Sequence, residues 1–199
     1  PSHDMYRRRG IFGCASGMVM NENRDQLPAG CEAVSEDISI TVEAGTEFAA
    51  RFPGNVFGLS QHAYQVPPCS RLTVTFINRD EVRHQWMVHG LPRTLYPGGM
   101  FHLEAAGGAT QRGTFIVPAE DRTYLVHCDL AQHMEKGMKG QLKVGRGSGD
   151  LWSVPGVSRG YLQDSYTGRP LWPLLLVALL AGALVAAALR ALVAHKRPR

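Results

Sequence analysis

Residues 124–144 read "YLVHCDLAQHMEKGMKGQLKV". Both ends of this stretch are strand candidates, and a loop joins them. Cys128 stands at the end of the first strand, His133 follows five positions on, and Met138 follows five after that. Further strand candidates lie upstream: "ISITV" (38–42), "RLTVTFIN" (71–78) with Leu72, Val74 and Phe76 on one face, "HQWMVHG" (84–90) and "GTFIV" (113–117). Turn-rich pieces separate them: "VPPCS", "INRDE", "LPRTLYPGG", "AAGGAT" and "VPAED". No segment before Leu171 carries a long helical period. Short strands punctuated by turns in this way predict an all-β sandwich over residues 36–145.

The two ends of the chain read differently. "LWPLLLVALLAGALVAAAL" (171–189) is uncharged over 19 residues, and at about 1.5 Å per residue it matches a hydrocarbon core of ~30 Å. A core helix would show a polar face, and this segment has none. The reading is a single transmembrane helix over 171–193 with a cytoplasmic tail at 194–199. Arg190, Lys196, Arg197 and Arg199 are four of the 21 Lys and Arg; the remaining 17 equal the 17 Asp and Glu, all of which precede the helix. The net charge of +4 therefore belongs to the anchor's tail, and the basic balance gives no support for nucleic-acid binding. Positive residues stay cytoplasmic, so the bulk of the chain is expected to face a periplasm or extracellular space. Residues 146–170, rich in Gly, Ser, Arg and Pro, read as a tether. Residues 1–35 read as a polar N-terminal segment. The start at Pro1 is that expected of a chain from which a leader or more has been removed. With Cys128 reserved for metal, Cys14, Cys31 and Cys69 allow at most one internal disulfide, whose pairing the spacing leaves open.

Taken singly, a strand cysteine is usually a small buried hydrophobe and a methionine core filler. Together, Cys128, His133 and Met138 with His84 from the earlier strand make a set of one thiolate, two imidazoles and one thioether. That is the ligand set of a blue-copper centre, with three strong ligands and a weak axial methionine. Gly137 lets the loop turn just before Met138. Side chains alternate faces along a strand, so adjacent His127 and Cys128 point to opposite faces, and so do His84 and His89, five apart. If His84 and Cys128 share the inner face, His89 and His127 share the outer one. These two are either solvated surface histidines or ligands of a second metal.

"HCDLAQHMEKGMKGQLKV" resembles the last-domain signature of multicopper oxidases, His-Cys-His-x3-His-x3-Gly-Met, and "HQWMVHG" resembles their His-Pro-x-His-x-His-Gly stretch. Both also resemble the copper nitrite reductases, whose first motif is His-x4-His. The resemblance covers roughly residues 36–145. It implies a cupredoxin-like Greek-key sandwich with His84, Cys128, His133 and Met138 as type 1 copper ligands. Met87 and Asp129 stand where the oxidases have histidines, which argues against a complete oxygen-reducing cluster. His89 and His127 match the pair a nitrite reductase gives its catalytic copper. "SHDMYRRRGIFG" (2–13) resembles the tail of a preceding cupredoxin domain, with one residue fewer before Gly10, and would supply His3 as a third ligand. His62 and His102 are other third-ligand candidates, each read as a surface loop residue. Asp129 is a candidate proton donor near the outer face.

Three functions follow. The first is electron transfer by a membrane-anchored type 1 copper protein serving a redox partner or a membrane respiratory complex. The second is a nitrite- or oxygen-reducing oxidoreductase with a second copper at an interface, as a trimer by analogy with the reductases. The third is copper storage or delivery, to which Met5, Met18 and Met20 point.

Overall fold

In Arg71–Asn78 every second side chain is buried, and Leu72, Val74 and Phe76 are inaccessible to solvent. The computed structural model describes residues 16–158 and 172–195, and in strands such as His84–His89 both faces are buried. Ten strands form the first unit: β1 (Gly17–Met20), β2 (Asp37–Gly45), β3 (Gly58–Leu59), β4 (Ala63–Val66), β5 (Arg71–Asn78), β6 (His84–His89), β7 (Met100–Ala105), β8 (Thr110–Ile116), β9 (Arg122–His127) and β10 (Lys139–Val144). A six-stranded sheet has the order β1-β7-β6-β9-β10-β4, and a four-stranded sheet has the order β3-β2-β5-β8. The β10–β4 and β2–β5 pairs are parallel and the rest antiparallel.

The core lies between the sheets. Val42, Val74, Phe76 and Phe115 from one face Trp86, Val88, Phe101, Leu103, Tyr124, Val126 and Leu142 from the other. Burying each such side chain contributes about 1.5–3 kcal/mol. Gly113 lets the sheets approach, because a Cβ there would meet Val19, Leu103 and Phe101 within 3 Å. Tyr96 locks the 90–99 connection to β8: its hydroxyl donates to the Ile116 carbonyl at 2.6 Å and accepts from the Ile116 amide at 3.1 Å and Asn23 Nδ2 at 2.9 Å.

Two expected boundaries move. The sandwich was expected to begin at residue 36, but β1 is hydrogen-bonded along β7 as an edge of the six-stranded sheet. Its four residues are too few to show a period. The tether expected from residue 146 begins later: Asp150 holds Gln141 and Lys143, the Leu151 amide donates to Gln141 Oε1, and Val154 is fully buried. The buried amide of Gln141, which needs these partners, draws the segment in. Residues 1–15, with His3 and Cys14, lie outside the described residues, as do the later part of the tether and residues 196–199.

The second unit is the helix α1 (Trp172–His195). Its stretch Trp172–Arg190 has a mean hydropathy of 2.4 and is long and apolar enough to cross a membrane. Its leucines and valines are exposed all round, which suits lipid and not water.

Cys31 and Cys69 form a disulfide across 38 residues of sequence. Closing a loop of that length restricts the unfolded chain by roughly 4 kcal/mol. Replacing both cysteines by alanine in the full chain should lower stability by about that amount, seen as a lower urea midpoint with a somewhat steeper slope from the more expanded unfolded chain.

Candidate metal centre

β6 and β9 lie side by side in the six-stranded sheet, and their ends place the candidate ligands. His84 is the first residue of β6, and Cys128 follows the last residue of β9. The loop from 128 to 138 closes on itself: the Cys128 amide donates to the Met138 carbonyl at 3.1 Å, and the Met138 amide donates to the His133 carbonyl at 2.9 Å. The amides of Val56 and Phe57 donate to the Lys136 carbonyl at 2.9 and 3.1 Å, docking this loop on a neighbouring one. Gly137 has φ +115°, and a Cβ on it would lie 2.4 Å from the Phe57 carbonyl oxygen. The expected turn before Met138 thus needs glycine both for its backbone and for its space.

His84, Cys128 and His133 bring one ligand atom each within 4.8 Å of one another. The two Nδ1 atoms are 3.2 Å apart, and Cys128 Sγ is 3.5 Å from His133 Nδ1. His84 Nε2 lies 2.8 Å from Asp80 Oδ2, so Nε2–H donates to the carboxylate and a lone pair is left on Nδ1. Burial holds the imidazoles of His84 and His133 below the usual histidine range, although Asp80 pulls both upward. Burial alone would raise the Asp80 carboxyl, but hydrogen bonds from Thr46 and His84 outweigh it and the net shift is downward. Burial pushes the Cys128 thiol up to about 11, against the backbone amides of Leu130 and Gln85, which favour the thiolate. Two neutral imidazoles and a thiol aimed at one point form a soft cation site whose occupant must displace a proton. Met138 is fully buried beside Cys128 in the core cluster and ends the same loop. Phe57 stacks on His133 at 4.2 Å and meets His84 edge-on at 5.2 Å, which shields both rings.

The unbroken β6 sends His89 to the outer face, and His127 meets it there. His127 Nε2 is 3.5 Å from His89 Nδ1, with ring centroids 4.9 Å apart. Both are largely sheltered, not solvated: His127 is buried, and the buried His89 Nε2 has no hydrogen-bond partner among the described residues. Burial lowers the His127 pKa, and His89 lowers it further, while Asp129 and Glu135 oppose. Asp129 itself is exposed, and its amide donates to Gln85 Oε1 at 3.2 Å.

The surface reading of the remaining two histidines is corrected, and for His102 the loop reading too. His102 sits in β7, buried on the outer face, on a strand whose alternation runs from Phe101 to Ala105 and only Met100 breaks. Burial lowers its pKa, Glu104 and Asp129 raise it, and His89 lowers it. His62 is buried, with Nδ1 2.6 Å from the Lys139 carbonyl and its ring edge-on to Phe52. Asp80, Phe57 and Gln85 went unread, since a loop carboxylate and a lone aromatic carry no pattern. For Asp80, its position four before His84 was the one available signal.

No protein-family model and no curated protein matches the chain. Among solved structures it is similar to auracyanin B, with a TM-score of 0.45 and 17% identity over 65% of this chain and 98% of that one. It is similar to auracyanin A, described as a blue copper protein from Chloroflexus aurantiacus, with a TM-score of 0.42 and 19% identity over 55% of this chain and 99% of that one. It is also similar to a multi-copper oxidase from Pseudomonas thermotolerans, with a TM-score of 0.43 and 19% identity over 60% of this chain but 32% of the oxidase.

At pH 7 both inner imidazoles are neutral and the thiol holds its proton. Titration with Zn(II), a redox-inert probe, should therefore release about one proton per ion, with affinity rising roughly tenfold per pH unit from pH 7 to 9. The raised thiol pKa sets this sign: lowering the pH strengthens the competing proton. Calorimetry in buffers of different ionisation enthalpy measures the release, and none at all would exclude thiolate ligation.

Proposed function

We propose that the chain is a membrane-anchored type 1 copper protein that carries single electrons outside the cytoplasmic membrane. His84, Cys128 and His133 are the strong ligands and Met138 is the weak axial one. The observation that supports this most is the convergence of His84, Cys128 and His133 ligand atoms within 4.8 Å at one end of the sandwich. Copper bound there supplies a one-electron couple tuned by thiolate and thioether. The chain supplies the rest: Asp80 sets the His84 tautomer, Phe57 keeps water from the imidazoles, and the closed 128–138 loop holds three donors in register.

The apolar stretch Trp172–Arg190 ties this domain to a membrane. The basic residues after it stay cytoplasmic, which puts the sandwich in the periplasm or extracellular space. The Cys31–Cys69 disulfide suits that compartment. The electron partner is then a protein of the same space or a respiratory complex in the same membrane.

A second reading is supported by the outer pair. His89 and His127, 3.5 Å apart, would hold a second copper one peptide bond from Cys128. A third ligand from His3 or a neighbouring copy, as in a trimer, would complete an oxidoreductase site for nitrite or oxygen, with Asp129 as proton donor.

Copper-loaded protein should be intensely blue or green, and Cys128→Ser should abolish the colour; a colourless copper-loaded wild type would sink the proposal. For the second reading, metal analysis should find two coppers per chain, and His127→Ala should remove one EPR signal while the blue colour stays. A single copper in wild type rejects that reading and leaves the electron carrier.

A further inference from the structure

The outer face of the six-stranded sheet carries more donor atoms than either reading uses. Strand parity puts Phe101 and Leu103 of β7 and Trp86 and Val88 of β6 in the core. Met100, His102 and Glu104 therefore face outward, as do Gln85, Met87 and His89. The register then lines up Met20, His102, Met87 and His127 as successive partners across β1, β7, β6 and β9. Side chains directly opposed on one face have Cβ atoms about 4.5–5.5 Å apart. The row thus alternates thioether, imidazole, thioether, imidazole over four adjacent strands.

Two features separate this row from ordinary surface. His102 is 6% exposed, and its buried Nε2 has no hydrogen-bond partner among the described residues. Met87 is 3% exposed yet stands outside the hydrophobic core cluster. A buried imidazole nitrogen without a partner is unfavourable unless something fills its lone pair. Here the residues paired with it on both neighbouring strands are methionines, Met20 and Met87, and Met18 and Met100 lie on the same face one step away. Two thioethers and a neutral imidazole carry no charge and are soft, a set that favours a soft monovalent ion over Cu(II) or Zn(II).

We propose that Met20, His102 and Met87 form a cuprous-copper site on the outer face of the sheet, distinct from the inner centre and from the His89–His127 pair. Its ligand is Cu(I), bound without change of oxidation state. The site does not depend on the type 1 reading. It gives a place in the fold to the copper-holding role that the methionines near the N-terminus point to.

The test is anaerobic Cu(I) titration of the full chain in detergent, in competition with bicinchoninate. Wild type should bind one equivalent more than His102→Gln and one more than the Met20→Leu/Met87→Leu double variant, with the blue absorption of each oxidised protein unchanged. Met20→Leu alone, at a partly exposed edge-strand position, should weaken the extra equivalent at least tenfold without risk to folding. Ag(I) added to protein labelled at the methionine methyls should shift the Met20 and Met87 signals. Equal stoichiometry in wild type and variants overturns the proposal, as do unmoved methyl signals. Loss of the extra equivalent in His127→Ala but not in Met20→Leu also overturns it. Cys128→Ser removes a different equivalent, so failure of the type 1 reading shows separately.

Discussion

The antiparallel pairing of β6 with β9 is the constraint on which the chemistry of this molecule depends. In that register Met87 faces His127, Val88 faces Val126 and His89 faces Leu125. A slip of one residue would turn every side chain of one strand to the wrong face. His84 and Cys128 would then separate, and His89 would leave His127. The register is held by what flanks it: Trp86 and Val88 in the core, β7 on one side and β10 on the other. Packing of apolar residues thus positions the polar ones at the strand ends.

The electrostatics of the inner centre follow from the same burial. Desolvation drives both imidazoles neutral and the thiol protonated, the arrangement of least charge in a dry place. Two Nδ1 atoms held 3.2 Å apart, with one lone pair fixed by Asp80, are poorly matched to each other unless a proton or a cation lies between them. One proton shared between them, or a cation bound by both, satisfies the pair. Met138 is buried without charge, so closing the loop over it brings no ionic desolvation penalty.

Much of this was legible beforehand, for a physical reason. Alternation in "RLTVTFIN" and spacing from Cys128 to His133 to Met138 are local properties, and local pattern fixes strand and loop. Parity is local too, which is why the outward turn of His127 toward His89 could be read from an odd separation. Illegible were the contacts that only topology creates. β1 and β7 are neighbours though their starts lie some eighty residues apart. His102 therefore looked like a loop residue, and Met20 like part of a ragged start. The pairing of Cys31 with Cys69, the hold of Asp80 on His84 and the cover of Phe57 over His133 are likewise non-local.

Met87 and Asp129 carry the comparison with the oxidases furthest. Each stands where the resembling motif has a histidine. The structure puts Met87 between His102 and His127 on one face, and Asp129 close enough to both imidazoles to favour their protonation. A thioether at the centre of that row is a softer donor than the imidazole of the resembling motif. The carboxylate at the other position adds negative charge at the rim without adding a nitrogen. The outer face of this sheet thus presents a row of thioethers and imidazoles with a carboxylate at its edge, and the donor types in that row decide which ion it suits.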